Sequence, residues 1–313
     1  MPGFTLRPMT PADKAAMLAI AARTWEGGDY LPFVFDDWIA DTDGEFVAAL
    51  LEGRVVGSGK LTFLTPHDAW LEGLRKNPEV TEGGLAETVN RYFLRRLAGR
   101  PGLRSVRFST SAFNTRSIAV SERLGFRRRH TFTERDWTAK RDELGRVACP
   151  RAGRAAVVRD PGAARRFVEA SGWLGATGGV VCEGWRVYPY SWDLFRCRYL
   201  DPGRCLGVLE GGRLTGLAVF VHDTRFPHTC IKLAFVDAED RGTADALFDA
   251  MFGYVKDHAR DENVIEAILP PGARVSGWAT ERGFRTWEQE NNFYVYELPL
   301  ELLAGFAEGG ERR

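Results

Sequence analysis

One hairpin signature occurs twice in this chain. Leu50-Leu51-Glu52-Gly53-Arg54-Val55-Val56-Gly57 has a counterpart in Val208-Leu209-Glu210-Gly211-Gly212-Arg213-Leu214-Thr215-Gly216. Further on, Leu124-Gly125-Phe126 has a counterpart in Arg282-Gly283-Phe284. A repeat with a period near half of the 313 residues means a duplicated domain, because solenoid units recur every ~20–50 residues. The length agrees, at about 150 residues per domain. The expected division is 1–144 and 153–313, with Gly145 to Gly153 as linker around Cys149-Pro150-Arg151.

Periodicity gives each half the same order of elements. In the first, Phe4 to Arg7 reads as a strand, and Thr10-Pro11 as the N-cap and first position of a helix carrying Met17, Ile20 and Ala21. A hairpin follows over Glu45 to Leu64, then a strand at Ala69 to Leu74 and a helix at Gly83 to Leu97. Ser105 to Ser109, Thr115 to Leu124 and Thr131 to Trp137 complete it as strand, helix and strand. The second half runs from a strand at Ala155 and a helix at Pro161 to a hairpin over Cys205 to Val221. A strand at Thr229, a helix at Gly242, a strand at Asn263, a helix at Val275 and a strand at Phe293 close it. The expected class is α/β (α+β): two tandem domains, each a mixed, mostly antiparallel sheet flanked by helices.

Lysine plus arginine equals aspartate plus glutamate at 42 each, so no net basic field gathers nucleic acid. The five cysteines (149, 182, 197, 205 and 230) form no C-x-x-C pair, and the histidines show no ligand spacing. Neither a metal nor a disulfide framework is expected. The N-terminus lacks a signal-peptide core, and no run approaches the ~18 apolar residues of a membrane helix. The expectation is a soluble cytoplasmic protein with no membrane partner, for which a homodimer is allowed.

Three places in the first half resemble the GNAT acetyltransferases. Ala69-Trp70-Leu71-Glu72-Gly73-Leu74-Arg75-Lys76 is similar to the family's central strand. Thr81-Glu82-Gly83-Gly84-Leu85-Ala86 stands at its pyrophosphate loop, an Arg/Gln-x-x-Gly-x-Gly/Ala pattern. Asn114, Ser117, Glu122 and Leu124-Gly125-Phe126 resemble its fourth helix. The resemblance implies tandem GNAT-like domains that use acetyl-CoA as cosubstrate. It implies coenzyme binding by Thr81, Glu82, Gly83, Gly84, Leu85 and Ala86, with Leu74, Lys76 and Asn114 along the pantetheine arm. Physically, a pyrophosphate needs backbone N–H donors at a helix N-terminus, and glycines let the backbone come close.

Acetyl transfer also needs a base for the amine. Glu72, mid-strand, is the candidate; its alternative is an ion pair with Arg75. Ser121 stands where many relatives carry a Tyr that protonates the departing thiolate, and Thr81 where the family usually has Arg or Gln. Asp29 and Tyr30, in the loop after the first helix, are candidates for acceptor binding; the alternative there is an ordinary surface turn. Gly27-Gly28-Asp29-Tyr30-Leu31-Pro32, Trp38 and Leu71-Glu72-Gly73-Leu74-Arg75 resemble vertebrate histidine N-acetyltransferase and its bacterial relatives. That implies a small primary amine, such as a free amino acid, as acceptor. The rival reading is a non-catalytic protein that binds a coenzyme A thioester or small ligand without turnover. In the second half, Glu239-Asp240-Arg241-Gly242 puts two acids at the corresponding loop, so that half reads as a degenerate copy.

Overall fold

In the computed structural model, which describes residues 3–286 and 289–307, the chain opens with β1 (Thr5–Pro8) and a 3₁₀ turn, Pro11–Asp13. The Asp13 carboxylate accepts from the Thr10 backbone N–H at 2.9 Å and its hydroxyl at 2.7 Å, so this turn is capped from within. It leads directly into α1 (Lys14–Ala21). Next comes α2 (Leu31–Ala40), a helix to which the sequence pattern assigns no element. Its buried residues Leu31, Val34, Phe35 and Trp38 keep the i, i+3, i+4, i+7 period of an amphipathic helix.

The strands β2 (Glu45–Leu51), β3 (Arg54–Thr65) and β4 (Asp68–Lys76) pair antiparallel, and β4 then lies parallel to β5 (Ser105–Ser111). α3 (Leu85–Ala98) and α4 (Thr115–Arg123) flank β5 in sequence, and β6 (Arg127–Lys140) follows. Residues Met17, Ile20, Leu31, Phe35 and Trp38 form one core with Phe46 and Ala48.

The second half begins with β7 (Ala155–Val157) and α5 (Pro161–Ala170). Then come α6 (Gly172–Thr177), the hairpin β8 (Val180–Glu183) and β9 (Arg186–Pro189), and α7 (Trp192–Phe195), none of them anticipated. This aromatic stretch packs within its own unit: Arg198 lies 4.2 Å from the Tyr188 ring, and Trp192 stacks on Phe195. β10 (Cys205–Glu210), β11 (Arg213–His222) and β12 (Thr229–Ala238) repeat the antiparallel meander. α8 (Arg241–Asp257), β13 (Glu262–Leu269), α9 (Arg274–Glu281), β14 (Phe293–Glu297) and α10 (Leu300–Ala307) complete the chain. Leu217, Val219, Leu233 and Phe235 of this meander are buried with Leu247, Phe248 and Phe252 of α8.

The duplication is visible in the backbone. Glu52-Gly53 turns with φ of +50° and +78°, and Gly211-Gly212 with +58° and +78°. Such doubly left-handed turns suit the twist of a two-residue hairpin. Both hairpins then carry a bulge at the same place, at Val56 and at Thr215, where the register slips by one residue.

The compact units do not follow the expected 1–144 and 153–313 division. One comprises Met1–Arg129 and Val295–Arg313, the other His130–Tyr294. Strand pairing is the reason. Residues 133–140 of β6 pair antiparallel with β13 and complete the second unit's sheet. In the first unit, the Leu298 N–H donates to the Val106 carbonyl at 2.9 Å, and Arg107 ion-pairs with Glu297. Tyr296 stacks on Phe108 at 5.4 Å and donates to Glu122 at 3.0 Å. Each unit therefore takes its last strand from the other half of the sequence. Val295, Tyr296, Leu298 and Leu303 are all buried. At about 1.5–3 kcal/mol per buried side chain, losing four is comparable to the ~5–15 kcal/mol that holds a domain folded. Deleting residues 295–313 should therefore abolish cooperative unfolding of the first unit. A calorimetric transition of the first unit that survives the deletion would refute this.

Candidate active site

β4 and β5 part early. Their parallel register runs only from Asp68↔Ser105 to Trp70↔Arg107, so residues 71–76 have no partner in β5. On its other side β4 is bulged: Lys60 faces Glu72 and Ser58 faces Arg75, leaving Gly59 opposite both Gly73 and Leu74. Gly73 has φ +66°, and a Cβ there would lie 2.6 Å from the Trp38 ring. Only glycine meets both the left-handed backbone and the close approach. The Ser58 hydroxyl donates to the Gly73 carbonyl at 2.9 Å and ties the bulge to β3.

The bulge sets two charged side chains, Glu72 and Arg75, on the same face, opposite Lys60 and Ser58. Glu72, half-buried, accepts a 2.6 Å hydrogen bond from the Thr62 hydroxyl. Arg75 forms a buried bidentate pair with Asp29, Nε at 2.6 Å and Nη2 at 2.8 Å. Its Nη1 donates to the Leu74 carbonyl at 2.9 Å, and its guanidinium lies 4.2 Å from the Trp25 ring and 5.0 Å from that of Tyr30. Burial pushes the Tyr30 phenol up, against the opposing pull of the Arg75 charge.

The sequence offers Asp29 as a partner for an acceptor's ammonium group. In the structure both its oxygens instead accept from Arg75, and Oδ1 also accepts from the Leu31 N–H at 3.0 Å, at the start of α2. A buried cation requires a carboxylate beside it, and Arg75 takes this one. In the sequence Arg75 stands out only as a partner for Glu72. Trp25, 58% exposed, begins a left-handed run through Glu26 and Gly27 (φ +48°, +56°, +89°). Such backbone on non-glycine residues is strained, and nothing in the sequence pattern signals it.

Beyond β4 the loop reaches the N-terminus of α3. Thr81, Glu82, Gly83 and Gly84 are exposed, Leu85 is buried and Ala86 half-buried. Gly84, at the N-cap, has φ +93°, and no side chain caps this helix. A Cβ on Gly83 or Gly84 would meet nothing within 4 Å, so the surface in front of the first N–H groups is open. The corresponding end of α8 is closed: the Asp240 carboxylate accepts from the Thr243 N–H at 2.9 Å and from its hydroxyl at 3.0 Å. Glu239 is occupied by a bidentate pair with Arg213.

The remaining candidates lie on their own elements. Leu74 and Lys76 are half-buried on the stretch of β4 that has left β5. Asn114 is the N-cap of α4, its Oδ1 accepting from the Ser117 N–H at 3.2 Å. Ser121 is buried on α4, and its carbonyl accepts from the Leu124 and Phe126 N–H groups, each at 3.0 Å. Among the described residues, no helix is long and apolar enough to cross a membrane.

A strand that bulges and leaves its parallel neighbour, followed by an open glycine loop at a helix N-terminus, can be set beside known proteins. Residues 14–126 match the acetyltransferase (GNAT) family. This region is a GNAT acetyltransferase domain. Members of that family are N-acetyltransferases, which take an acyl group from acetyl-CoA. No curated protein matches the sequence. Two solved structures share the fold over nearly the whole chain. The GCN5-related N-acetyltransferase from Sphaerobacter thermophilus is 14% identical, with a TM-score of 0.60, covering 95% of this chain and 96% of its own. A tandem GNAT protein from the clavulanic acid biosynthesis pathway is 15% identical, with a TM-score of 0.60, covering 95% and 99%. At such identities the likeness is one of fold, and it spans both units.

Removing one partner from a buried ion pair strands the other charge, at a cost of about 3–5 kcal/mol. Asp29→Ala should destabilise the GNAT domain by that amount. Urea unfolding that moves by less than about 1 kcal/mol would mean that Arg75 finds water or another acceptor.

Proposed function

We propose that the first unit transfers the acetyl group of acetyl-CoA to a small primary amine, with a free amino acid as the favoured acceptor class. The carrying observation is the uncapped N-terminus of α3 behind Gly83-Gly84, next to the stretch of β4 that β5 leaves unpaired. Orphan N–H groups at a helix start, at the positive end of its dipole, favour a pyrophosphate. The backbone from Thr81 to Ala86 would hold it, while the β4 edge at Leu74 and Lys76 would take the pantetheine as an added strand. The bound coenzyme supplies an acyl thioester, activated toward amines.

The chain's own residues do the rest. Glu72 accepts the amine proton, its carboxylate oriented by the Thr62 hydroxyl. Asp29, through Arg75, positions Trp25 and Tyr30 as a wall beside that carboxylate's strand. The two strings that carried the amino-acid-acetyltransferase resemblance, around Asp29 and around Arg75, meet in this ion pair, which supports the acceptor class. Asn114 and Ser121 offer an amide and a hydroxyl on α4. The second unit contributes to acceptor choice and binds no coenzyme, because the Asp240 carboxylate already occupies its helix N-terminus. We place the enzyme in the cytoplasm, where its five free thiols stay reduced.

Calorimetric titration with acetyl-CoA, paired with a thiol-release assay on an amine panel, tests this reading. One coenzyme per chain with release on at least one amine is expected. Binding without release on any amine would favour the non-catalytic alternative.

Gly84→Val forces a β-branched side chain into a left-handed backbone at the mouth of the loop. Acetyl-CoA affinity should fall at least tenfold while the fold, read by circular dichroism, is kept. Unchanged affinity would move the coenzyme elsewhere. Glu72→Gln should leave coenzyme affinity intact and lower kcat by ~10²–10⁴, the usual contribution of a general base. The deficit should shrink as pH rises, because more of the amine is already neutral. A flat ratio of variant to parent between pH 7 and 10 would make Glu72 a structural residue.

A further inference from the structure

The second unit contains a cavity of about 380 Å³ between α5 and the C-terminal end of β12. Its size lies within the ~300–1,000 Å³ of small-molecule sites. The apolar lining comes from Phe167, Leu214 and Ala238, and three arginines reach it, Arg166, Arg213 and Arg274. The carboxylates there are Asp237 and Glu239.

The charges do not cancel. Glu239 is consumed by Arg213, which it meets bidentately. Asp237 accepts from the Ala238 N–H at 2.9 Å; burial pushes its carboxyl upward, against the pull of that hydrogen bond and of the Arg274 charge. Arg274 reaches only a backbone carbonyl, that of Glu239, at 3.3 Å. Arg166 has no hydrogen-bond or ion-pair partner among the described residues. Two guanidiniums, one on α5 and one on α9, thus line an apolar hollow with no carboxylate in hydrogen-bond contact with either among the described residues. Guanidinium forks match carboxylate and phosphate oxygens two at a time.

We propose that this cavity binds a small organic anion, a carboxylate or phosphate monoester on an apolar stem, held by Arg166 and Arg274. The ligand is smaller than a coenzyme, since Asp240 shuts the helix end that a pyrophosphate would use. The site is separate from the proposed acetyl-transfer site of the first unit and does not depend on it.

Calorimetry on the full chain with phenylacetate, phenyl phosphate and benzylamine tests the assignment. Saturable binding of one or both anions is expected, at one site per chain, with none of benzylamine. Which anion binds more tightly identifies the headgroup. Arg166→Ala and Arg274→Ala should each weaken it at least tenfold. Arg165→Ala, on the same helix but ion-paired with Glu169, should leave it unchanged. All three residues are exposed, so the variants should fold, and acetyl-CoA affinity measured on the same samples reports independently on the first unit. The proposal is overturned if neither anion binds, if both alanine variants bind as the parent does, if benzylamine binds equally well, or if acetyl-CoA displaces the bound anion.

Discussion

The contact between Gly73 and Trp38 is the constraint on which the candidate site depends. With the indole only 2.6 Å from where a Cβ would stand, α2 and β4 are pressed together at the bulge. The extra residue shifts the register of the strand beyond it. Before it, Glu72 pairs across to Lys60, itself buried and bound to Asp41. After it, Arg75 reaches Asp29 at the start of α2. Without the bulge the strict alternation of a strand would put residues 72 and 74 on one face and 73 and 75 on the other. The bulge instead brings Glu72 and Arg75 to one face, opposite Lys60 and Ser58, the carboxylate held by Thr62 of β3 and the guanidinium by Asp29. It also coincides with the point where β4 leaves β5, so the distortion and the unpaired edge are parts of one feature.

The two units handle the same backbone problem differently. Every helix starts with N–H groups that lack intrahelical partners. α8 satisfies one with Asp240, a cap worth roughly 1 kcal/mol. α3 has no such side chain, and its N-cap is a glycine in a left-handed conformation. The first arrangement adds stability and excludes an anion by like charge. The second gives up that stability and keeps the donors available. Since the hairpins of the two units share even their bulges, this divergence at one loop reads as a change of use rather than of fold.

Much of the fold is legible in the sequence because most of its elements are local. β2 spans Glu45–Leu51, where the apolar run puts it, and the Glu52-Gly53 and Gly211-Gly212 turns need only the residues within them. α2 escapes such a reading although its apolar period is present, because Gly27-Gly28 and Pro32 are also loop signals; Pro32 serves in the first turn of the helix. In the site, the open glycines at 83 and 84 and the Asn114 cap can be read from a few neighbouring residues. The Asp29–Arg75 pair spans 46 residues and has no local signature. Glu72 and Arg75 are three apart, which strict alternation would put on opposite faces; the register slip sets both on one face, opposite Lys60 and Ser58, and Asp29 takes the guanidinium. A bulge of this kind is set by what packs on the strand, here Trp38.

The exchange of closing strands has a kinetic consequence. The second unit is built from one continuous stretch, His130–Tyr294. The first unit instead needs Leu298 beside Val106, a contact that closes a loop of nearly two hundred residues. Loop closure grows only as the logarithm of length, so the equilibrium penalty is modest. The rate is affected more, because non-local pairing must be reached before it is rewarded. During synthesis, residues 1–129 emerge first yet lack the strand and helix that finish their sheet and cover α3. If the second unit folds in the meantime, its intervening chain becomes compact and the effective loop shortens. Folding of the second unit thus becomes a step toward completing the first, so a lesion in the core around α8 would lower the yield of folded acetyltransferase domain without touching any residue of its site.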